Sequence, residues 1–352
     1  MIKSKYNVIG VMSGTSLDGL DLAYMTLMFK EHWTFKIHKA ETIPYSENWS
    51  KRLRHIVNQP REVIDAINLD YTEYLGEVIQ KFITVNTIDH LDAVCSHGHT
   101  ALHQPDNGLT YQIGNHPKLA KLIEQRLVCD FRVQDVELGG QGAPLVPIGD
   151  RLLFSKYDYC INLGGFANIS SEIDNKRIAY DICPVNIVMN RYANALGYDY
   201  DDKGMIAKTG VLNQELLHNL NQIGFYKEKP PKSLGLEWVD NTISPVLEES
   251  TLSDADILRT FVEHIALQIA SSVNANTRVL FTGGGTYNDF LLERIINYKE
   301  FELIKPSHDL IEYKEALIFG LLGVLKLRGE INCLSSVTGA NNDHSSGEIY
   351  YP

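Results

Sequence analysis

Hydrophobic and polar positions follow strand-like or helix-like spacing along most of the chain, which predicts a protein of mixed α/β type. Apolar runs at 5–12 and 20–29 flank a short polar segment and predict two strands joined by a hairpin turn. Apolar side chains at three- and four-residue intervals predict a helix at 63–82. The run at 91–96 predicts a buried strand that leads into a polar, histidine-containing loop.

The same patterns predict the remaining elements. Further strands are expected at 34–43, 110–113, 127–131, 159–163, 166–170 and 278–281. Further helices are expected at 47–57, 117–126, 186–196, 211–223, 254–274, 289–298 and 314–327. A loop at 335–340 and a polar, partly disordered tail at 341–352 are expected to close the chain.

A Gly- and Pro-rich connection at 138–147 interrupts the apolar periodicity and is the best candidate for a crossing between domains. The strand–glycine turn–strand pattern of the first hairpin recurs at 159–170, which predicts two related domains. We expect the first domain to comprise 1–133 with a C-terminal segment of about 326–352, and the second to comprise 134–325.

Composition narrows the class of protein. The chain has 352 residues with 44% hydrophobic content, enough for two domains, and its net charge of −12 argues against nucleic acid or an anionic membrane as main partner. The five cysteines are scattered without a C-x-x-C pair, which is typical of reduced thiols. The N-terminal apolar stretch is too short for a signal peptide, and that at 316–325 is too short to span a bilayer. We therefore expect a soluble cytoplasmic protein.

Three glycine-bearing turns, at 13–19, 164–165 and 283–285, each follow an apolar strand. Gly14 and Gly19 are expected to adopt backbone angles closed to other residues and to point N–H groups into the first turn. Two such hairpins can clamp the phosphates of ATP while the third turn receives the adenosine, with a carboxylate for Mg²⁺. Three unrelated turns are the alternative. A P-loop, a dinucleotide fingerprint and a nucleophile elbow are all missing from the sequence.

The opening turn, V-M-S-G-T-S-L-D-G at 11–19, closely resembles the signature of the anhydro-N-acetylmuramic acid kinases, members of the hexokinase/actin/Hsp70 ATPase superfamily. The resemblance continues in order through 96–100, 112–115, 130–132, 139–147, 162–170, 230–233, 283–288, 315–316 and 337–340. It implies two actin-like (ribonuclease H-like) domains with a nucleotide cleft between them, and a homodimer. It also implies an ATP- and Mg²⁺-dependent kinase that opens its anhydro amino sugar with water and forms N-acetylmuramic acid 6-phosphate during cell-wall recycling.

The resemblance also implies roles for individual residues. Asp181 matches the catalytic aspartate, Glu315 would orient sugar or water, and Asp18, supported by Asp21, would hold Mg²⁺ through water. Nucleotide contacts are implied for Ser13, Gly14, Thr15, Ser16, Leu17, Asp18, Gly19, Leu20, Gly164, Gly165, Gly283, Gly284, Gly285 and Asn288. Sugar contacts are implied for His97, His99, Thr100, Arg132, Gln141 and Asn186.

A structural role is the alternative for each chemical one. Asp181 could cap the following helix, Glu315 could be a solvated first-turn glutamate, and Arg132, expected to pair with the sugar carboxylate, could form a surface salt bridge. Hydrogen-bonding roles near the substrate are favoured over a zinc site for the four histidines of the loop region, which are His97, His99, His103 and His116.

The chain departs from the family pattern on the sugar side. Cys183 and Val185 replace glycines, which removes backbone freedom beside the expected base. His99 replaces a glutamine, Leu102 an arginine, and Asn190 an aspartate. A kinase for a different amino sugar, or a nucleotide-binding sensor without phosphoryl transfer, is therefore the alternative function.

Overall fold

The computed structural model describes residues 3–14 and 17–352. The strands in chain order are β1 (Lys5–Ser13), β2 (Gly19–Phe29), β3 (Trp33–Pro44), β4 (Ala93–Ser96), β5 (His99–Gln104), β6 (Leu109–Ile113), β7 (Leu127–Cys129), β8 (Tyr159–Leu163), β9 (Phe166–Ile173), β10 (Lys176–Pro184), β11 (Arg278–Thr282), β12 (Glu302–Ile304) and β13 (Glu348–Tyr350).

The helices in chain order are α1 (Glu47–Arg54), α2 (Arg61–Val85), α3 (Lys118–Ile123), α4 (Val133–Glu137), α5 (Pro147–Leu153), α6 (Asn186–Ala195), α7 (Met205–Thr209), α8 (Gln214–Asn221), α9 (Leu236–Trp238), α10 (Ser244–Glu248), α11 (Asp254–Ser272), α12 (Asp289–Tyr298), α13 (His308–Arg328) and α14 (Ser335–Thr338). Among these described helices, none is long and apolar enough to cross a membrane.

The chain divides into two compact units that share a five-strand topology, to which unit 1 adds the edge strand β13. Unit 1 comprises Met1–Leu153 and Tyr313–Pro352, and unit 2 comprises Phe154–Glu312. The sheet of unit 1 has the order β13-β7-β4-β1-β2-β3, and that of unit 2 has the order β10-β9-β8-β11-β12. In each, three antiparallel strands are followed by two that run parallel to the first. This is the ribonuclease H-like arrangement, so the predicted fold class of two related α/β domains is confirmed.

The first boundary between the units lies at Leu153/Phe154, after the crossing expected near 133. The second lies at Glu312/Tyr313, before the crossing expected near 325. The segment after 138 remains attached to unit 1, since the Gln141 amide donates to the Thr338 carbonyl at 2.8 Å. Helix α5 is held there too, because Lys314 Nζ lies 2.7 Å from Asp150 Oδ1. Backbone and side-chain partners far along the chain, rather than local periodicity, hold this segment in unit 1.

The expectation of a partly disordered tail is wrong. Strand β13 pairs antiparallel with β7, with Ile349 opposite Val128, and residues 335–338 form α14 instead of a loop. The buried Ser346 hydroxyl donates to the Phe131 carbonyl at 2.7 Å. Polar residues here satisfy internal backbone groups, so their polarity does not signal exposure.

Two strands also replace other predicted structures. Part of the expected polar loop after 96 is β5, which pairs with β6 and places His99 opposite Ile113. The segment before α6, expected only to cap that helix, is β10, which pairs with β9 and has a register shift between Asp181 and Cys183. Residue spacing alone did not predict either strand because each includes polar residues whose partners lie on a neighbouring strand.

Helix α13 lies with its backbone directly against the sheet of unit 1. An ideal Cβ on Gly10 of β1 would overlap the Ala316 carbonyl of the helix. One on Gly320 would lie 2.8 Å from the Met25 sulfur of β2. These two glycines therefore permit a close approach of α13 to the sheet. The approach fixes the position of Glu315, the residue before Ala316, relative to β1.

We expect Gly10→Ala to destabilise the protein by about 3 kcal/mol, because the added methyl group must displace main chain rather than a flexible side chain. Thermal unfolding should then show a Tm lower by roughly 6 to 12 °C. The matched control is Gly224→Ala, where a Cβ would meet no heavy atom within 4 Å and the change should stay within about 0.5 kcal/mol. Equal Tm values for the two variants would contradict the packing constraint.

Candidate active site

The first glycine turn joins β1 and β2 in unit 1. Ser13 and Leu20 form its last paired residues, and the Leu20 side chain is buried in the core, so only its backbone can face the turn. Gly14 is half-buried beside Ser13. Thr15 and Ser16, both expected at the nucleotide, lie outside the described residues.

Glycine at position 19 serves packing rather than an unusual backbone angle. Gly19 has no left-handed φ, and a Cβ there would overlap the Ile43 carbonyl of the neighbouring strand β3. The expectation that it supplies a conformation closed to other residues is therefore wrong. Leu17 has the left-handed φ of 62°, and the Asp18 side chain is exposed at the turn.

A buried chain of hydrogen bonds runs from the end of β1 toward helix α2. Ser13 Oγ lies 2.7 Å from the Tyr45 hydroxyl and 2.8 Å from His99 Nδ1, and Tyr45 continues to the Tyr71 hydroxyl at 2.6 Å. Burial lowers the pKa of His99 to about 4 and raises the pKa of Tyr45 to about 12. The two tyrosines and His99 are therefore neutral near pH 7. The Ser13 hydroxyl hydrogen-bonds to Tyr45 and His99. Tyr45 was not identified from the sequence, where a lone tyrosine gives no such signal.

Arg132 is held by His97 and by the glycine-rich connection. Its Nε donates to His97 Nε2 at 2.8 Å and its Nη1 donates to the Gly142 carbonyl at 2.5 Å. His97 Nδ1 lies 2.9 Å from the Gly98 carbonyl, so the proton of the ring is on Nδ1 and Nε2 accepts. Burial and the Arg132 charge lower the pKa of His97 well below its ordinary value. Burial lowers the pKa of Arg132 to about 10, which leaves it cationic at neutral pH.

Helix α13 is broken at Tyr313, whose φ of −107° and ψ of 18° are not helical. The helical run that contains Glu315 therefore starts after Tyr313, as the helix expected at 314–327 does. Burial raises the pKa of Glu315, while the cations of Arg132 and Lys314 oppose that shift. The Glu315 side chain is half-buried and lies in the field of two cations, so it is not the freely solvated glutamate of the alternative interpretation.

The other predicted sugar-side residues of unit 1 are dispersed. Thr100 is half-buried on β5, and the Gln141 side chain is exposed. The four histidines have different partners: beyond the two above, His103 Nδ1 lies 3.0 Å from Thr110 Oγ1, and His116 Nδ1 accepts from the Lys118 amide. Within residues 3–14 and 17–352, these four histidines form no group with metal-ligand spacing.

In unit 2, the second and third glycine turns lie at the same edge of the sheet. Strands β8 and β11 are parallel neighbours, with Asn162 opposite Thr282, so the turns that follow them are adjacent. Gly283 has a φ of 81°, and a Cβ there would lie 2.7 Å from Asn162 Oδ1. A Cβ on Gly284 would meet no heavy atom within 4 Å.

Each turn lies against the start of a helix. The Val185 amide donates to the Gly165 carbonyl at 2.8 Å, and the amide of Asn186, the first residue of α6, donates to Gly164 at 3.2 Å. Asn288 caps α12, since its Oδ1 accepts from the Leu291 amide at 2.9 Å. The structure thus brings Gly164, Gly165 and the 283–285 turn together.

Asp181 lies on β10 and is held by a segment that no local pattern connects to it. Its amide donates to the Lys232 carbonyl at 3.1 Å, and its Oδ2 accepts from the Leu234 amide at 2.8 Å. Burial raises the pKa of Asp181, and the Leu234 N–H opposes that shift. It does not cap α6, which starts at Asn186. The P-P-K-S run at 230–233, which includes Lys232, matches the family pattern, but the sequence alone does not indicate that it contacts Asp181.

The departures from the family pattern pack into the cores. Cys183 and Val185 are fully buried in unit 2, and neither has the left-handed φ that favours glycine. Leu102 packs against the core of unit 1, and Asn190 is half-buried on α6. His99 is the departure that bonds directly to a predicted site residue, Ser13.

Two ribonuclease H-like units with glycine turns at their strand ends define the class of actin-like ATPases. Within that class the chain belongs to the anhydro-N-acetylmuramic acid kinase family, whose model matches residues 6–352. Curated relatives of that name include proteins from Vibrio cholerae (32% identical; 98% of each chain), Hydrogenovibrio crunogenus (31%; 98% of each) and Francisella tularensis subsp. novicida (30%; 100% of each). The activator of the 2-hydroxyisocaproyl-CoA dehydratase from Clostridium difficile with bound ADPNP aligns with a TM-score of 0.41 and 13% identity, over 92% of this chain and 96% of that chain.

We expect Ser13→Ala to cost about 1 to 3 kcal/mol of stability, because it leaves His99 Nδ1 buried without its partner. Affinity for ATP, measured by calorimetry, should stay unchanged, since this hydroxyl is already committed inside the unit. Tyr45→Phe, which removes the neighbouring hydroxyl, serves as the matched comparison and should also affect stability alone. Lost ATP affinity at full stability would instead place the Ser13 hydroxyl on the nucleotide.

Proposed function

We propose that this protein is an ATP-dependent kinase that opens 1,6-anhydro-N-acetylmuramic acid with water and phosphorylates the product to N-acetylmuramic acid 6-phosphate. The observation that carries the proposal is the family match, which extends over 6–352 and includes all the predicted chemical residues. The desolvated Asp181, held at both its amide and its carboxylate, supports it.

In the proposed reaction, Asp181 takes a proton from a water molecule as the water oxygen bonds to the anomeric carbon. The bond from that carbon to the bridging oxygen breaks, and the bridging oxygen becomes the 6-oxygen. That oxygen bonds to the γ-phosphorus of ATP as the bond to ADP breaks. The proton on Asp181 then returns to solvent, so the sugar gains the hydroxyl group of the water and one phosphoryl group, and one proton is released.

The sugar would bind to an oriented positive charge in unit 1, the guanidinium of Arg132. Arg132 is fixed by His97 and Gly142 and is cationic at neutral pH, which suits the carboxylate of a muramic acid. Glu315, in the field of Arg132, would orient sugar or water. His99, Thr100, Gln141 and Asn186 stay proposed sugar contacts.

ATP would bind at the glycine turns, with its phosphates at main-chain N–H groups. Mg²⁺ is the proposed ion: the exposed Asp18 offers the hard oxygen that this ion prefers, and would hold it through water. Asp21 Oδ1, which accepts from Thr42 Oγ1 at 2.6 Å, would support that site. When bound, the ion neutralises phosphate charge. A homodimer and a cytoplasmic location stay predictions, and light scattering tests the first.

We expect Asp181→Asn to lower kcat by about 10²- to 10⁴-fold, because the amide cannot accept the water proton. ATP affinity should stay unchanged. Mass spectrometry of the 6-phosphate measures turnover, and the control is Asp174→Asn, an exposed aspartate in the turn between β9 and β10.

Two outcomes would contradict this assignment. Full activity of Asp181→Asn would exclude Asp181 as the base. A wild-type protein that binds ATP but forms no 6-phosphate would exclude the substrate, and ATP consumption over a panel of amino sugars would then identify another acceptor.

We expect kcat/KM to fall as pH drops into the mildly acidic range. The base works when ionised, and burial raises the pKa of Asp181, so protonation removes activity at higher pH than for an ordinary aspartate. Residual turnover by Asp181→Asn should lack this acidic limb. If Glu315→Gln abolishes the limb instead, the titrating base is Glu315, whose pKa burial also raises.

A further inference from the structure

We propose a structural zinc site in unit 1, formed by Asp135, Cys333 and His344. One carboxylate oxygen, the thiol sulfur and one imidazole nitrogen all lie within 4.8 Å of one another, and all three residues are buried. Asp135 Oδ1 lies 3.0 Å from Cys333 Sγ and 3.5 Å from His344 Nε2. Ligand atoms around one tetrahedral ion have separations of this order.

The backbone holds the three side chains in place without a ligand. Cys333 and His344 form an isolated antiparallel bridge, with N–H···O distances of 3.1 and 3.2 Å in the two directions. Asp135 Oδ2 accepts from the Gly142 amide and Oδ1 accepts from Thr338 Oγ1, both at 2.7 Å. Such outer contacts orient ligands in metal sites.

The tautomer of His344 points to a cation at this position. Its Nδ1 lies 3.0 Å from the Asn342 carbonyl, which can only accept, so Nδ1 carries a proton. In the neutral ring, Nε2 then has a lone pair that faces the Asp135 carboxylate. Within the described residues, buried Nε2 has no hydrogen-bond partner. That lone pair lies 3.5 Å from Asp135 Oδ1 and within 4.8 Å of the Cys333 sulfur, so one metal ion would bind all three atoms.

The donor set and the burial of the three residues favour zinc as the bound ion. Thiolate and imidazole are ligands of Zn²⁺ rather than of Mg²⁺ or Ca²⁺. Binding releases the thiol proton to solvent and gives one carboxylate, one thiolate, one neutral imidazole and a divalent ion, which sum to zero charge. A neutral assembly suits a buried position, and one water molecule would supply the fourth ligand of the tetrahedral ion.

The site would join the C-terminal segment to the turn that carries Arg132. Asp135 lies in α4, the helix that starts directly after Arg132. Both residues bond to Gly142: Asp135 Oδ2 accepts from its amide, and Arg132 donates to its carbonyl. Zinc would therefore stiffen the Arg132 position without contacting it.

Metal content of the purified full-length protein, expressed with added zinc and handled without chelators, is the primary test. We expect one equivalent of zinc per chain by mass spectrometry of the metals. Replacement with Co²⁺ should give tetrahedral d–d bands and a thiolate-to-cobalt charge-transfer band. Removal of the ion by a chelator should lower the Tm, and added zinc should restore it.

Cys333→Ser should lose the charge-transfer band, and His344→Asn should lose bound zinc. The matched control is Cys160→Ser, another buried thiol, which should keep both. If the variants fail to fold, the wild-type zinc content and cobalt spectrum decide by themselves. Substoichiometric zinc together with a cobalt spectrum that lacks the thiolate band would overturn the proposal, and would leave the three side chains as structural polar groups of the core.

Discussion

The close approach of α13 to β1 in unit 1 is the contact on which the predicted catalytic groups of that unit depend. Gly10 lets the Ala316 backbone of the helix meet the strand without an intervening side chain. The same helix places Phe319 4.7 Å from the His97 ring and 5.7 Å from the Phe131 ring, centroid to centroid. Since His97 holds Arg132, the helix and the strand together set the position of the cation that faces Glu315 electrostatically. Removing water from these groups strengthens their mutual interaction.

In unit 2, backbone hydrogen bonds rather than helix packing position the proposed base, Asp181. Asp181 is held by Lys232 and Leu234, two residues of an irregular segment, through one donated and one accepted main-chain bond. Backbone groups cannot rotate away as side chains do, so the carboxylate is positioned at little entropic cost. The adjacent turns at Gly164 and Gly283 depend on the parallel pairing of β8 with β11 in the same way.

Local patterns predicted the repeated strand–turn–strand units, most helices and the glycine turns, because periodicity and glycine placement are properties of neighbouring residues. Contacts between distant residues were not predictable. The Leu234–Asp181, Ser346–Phe131 and Tyr45–Ser13 bonds join residues far apart in sequence. Local polarity therefore predicts exposure for the tail and the loops, whereas their polar groups are paired inside the protein. Site residues entered through motif resemblance, which identifies chemical groups but not the neighbours that tune them.

The cysteines give each unit its own reporter of local opening. All five thiols are buried, with Cys95, Cys129 and Cys333 in unit 1 and Cys160 and Cys183 in unit 2. A thiol reagent can reach such a group only through a fluctuation that exposes it, so the labelling rate at each position reports the free energy of that fluctuation. The two units can thus be compared residue by residue within one native sample, and nucleotide or sugar binding would slow labelling only in the unit whose opening the ligand opposes.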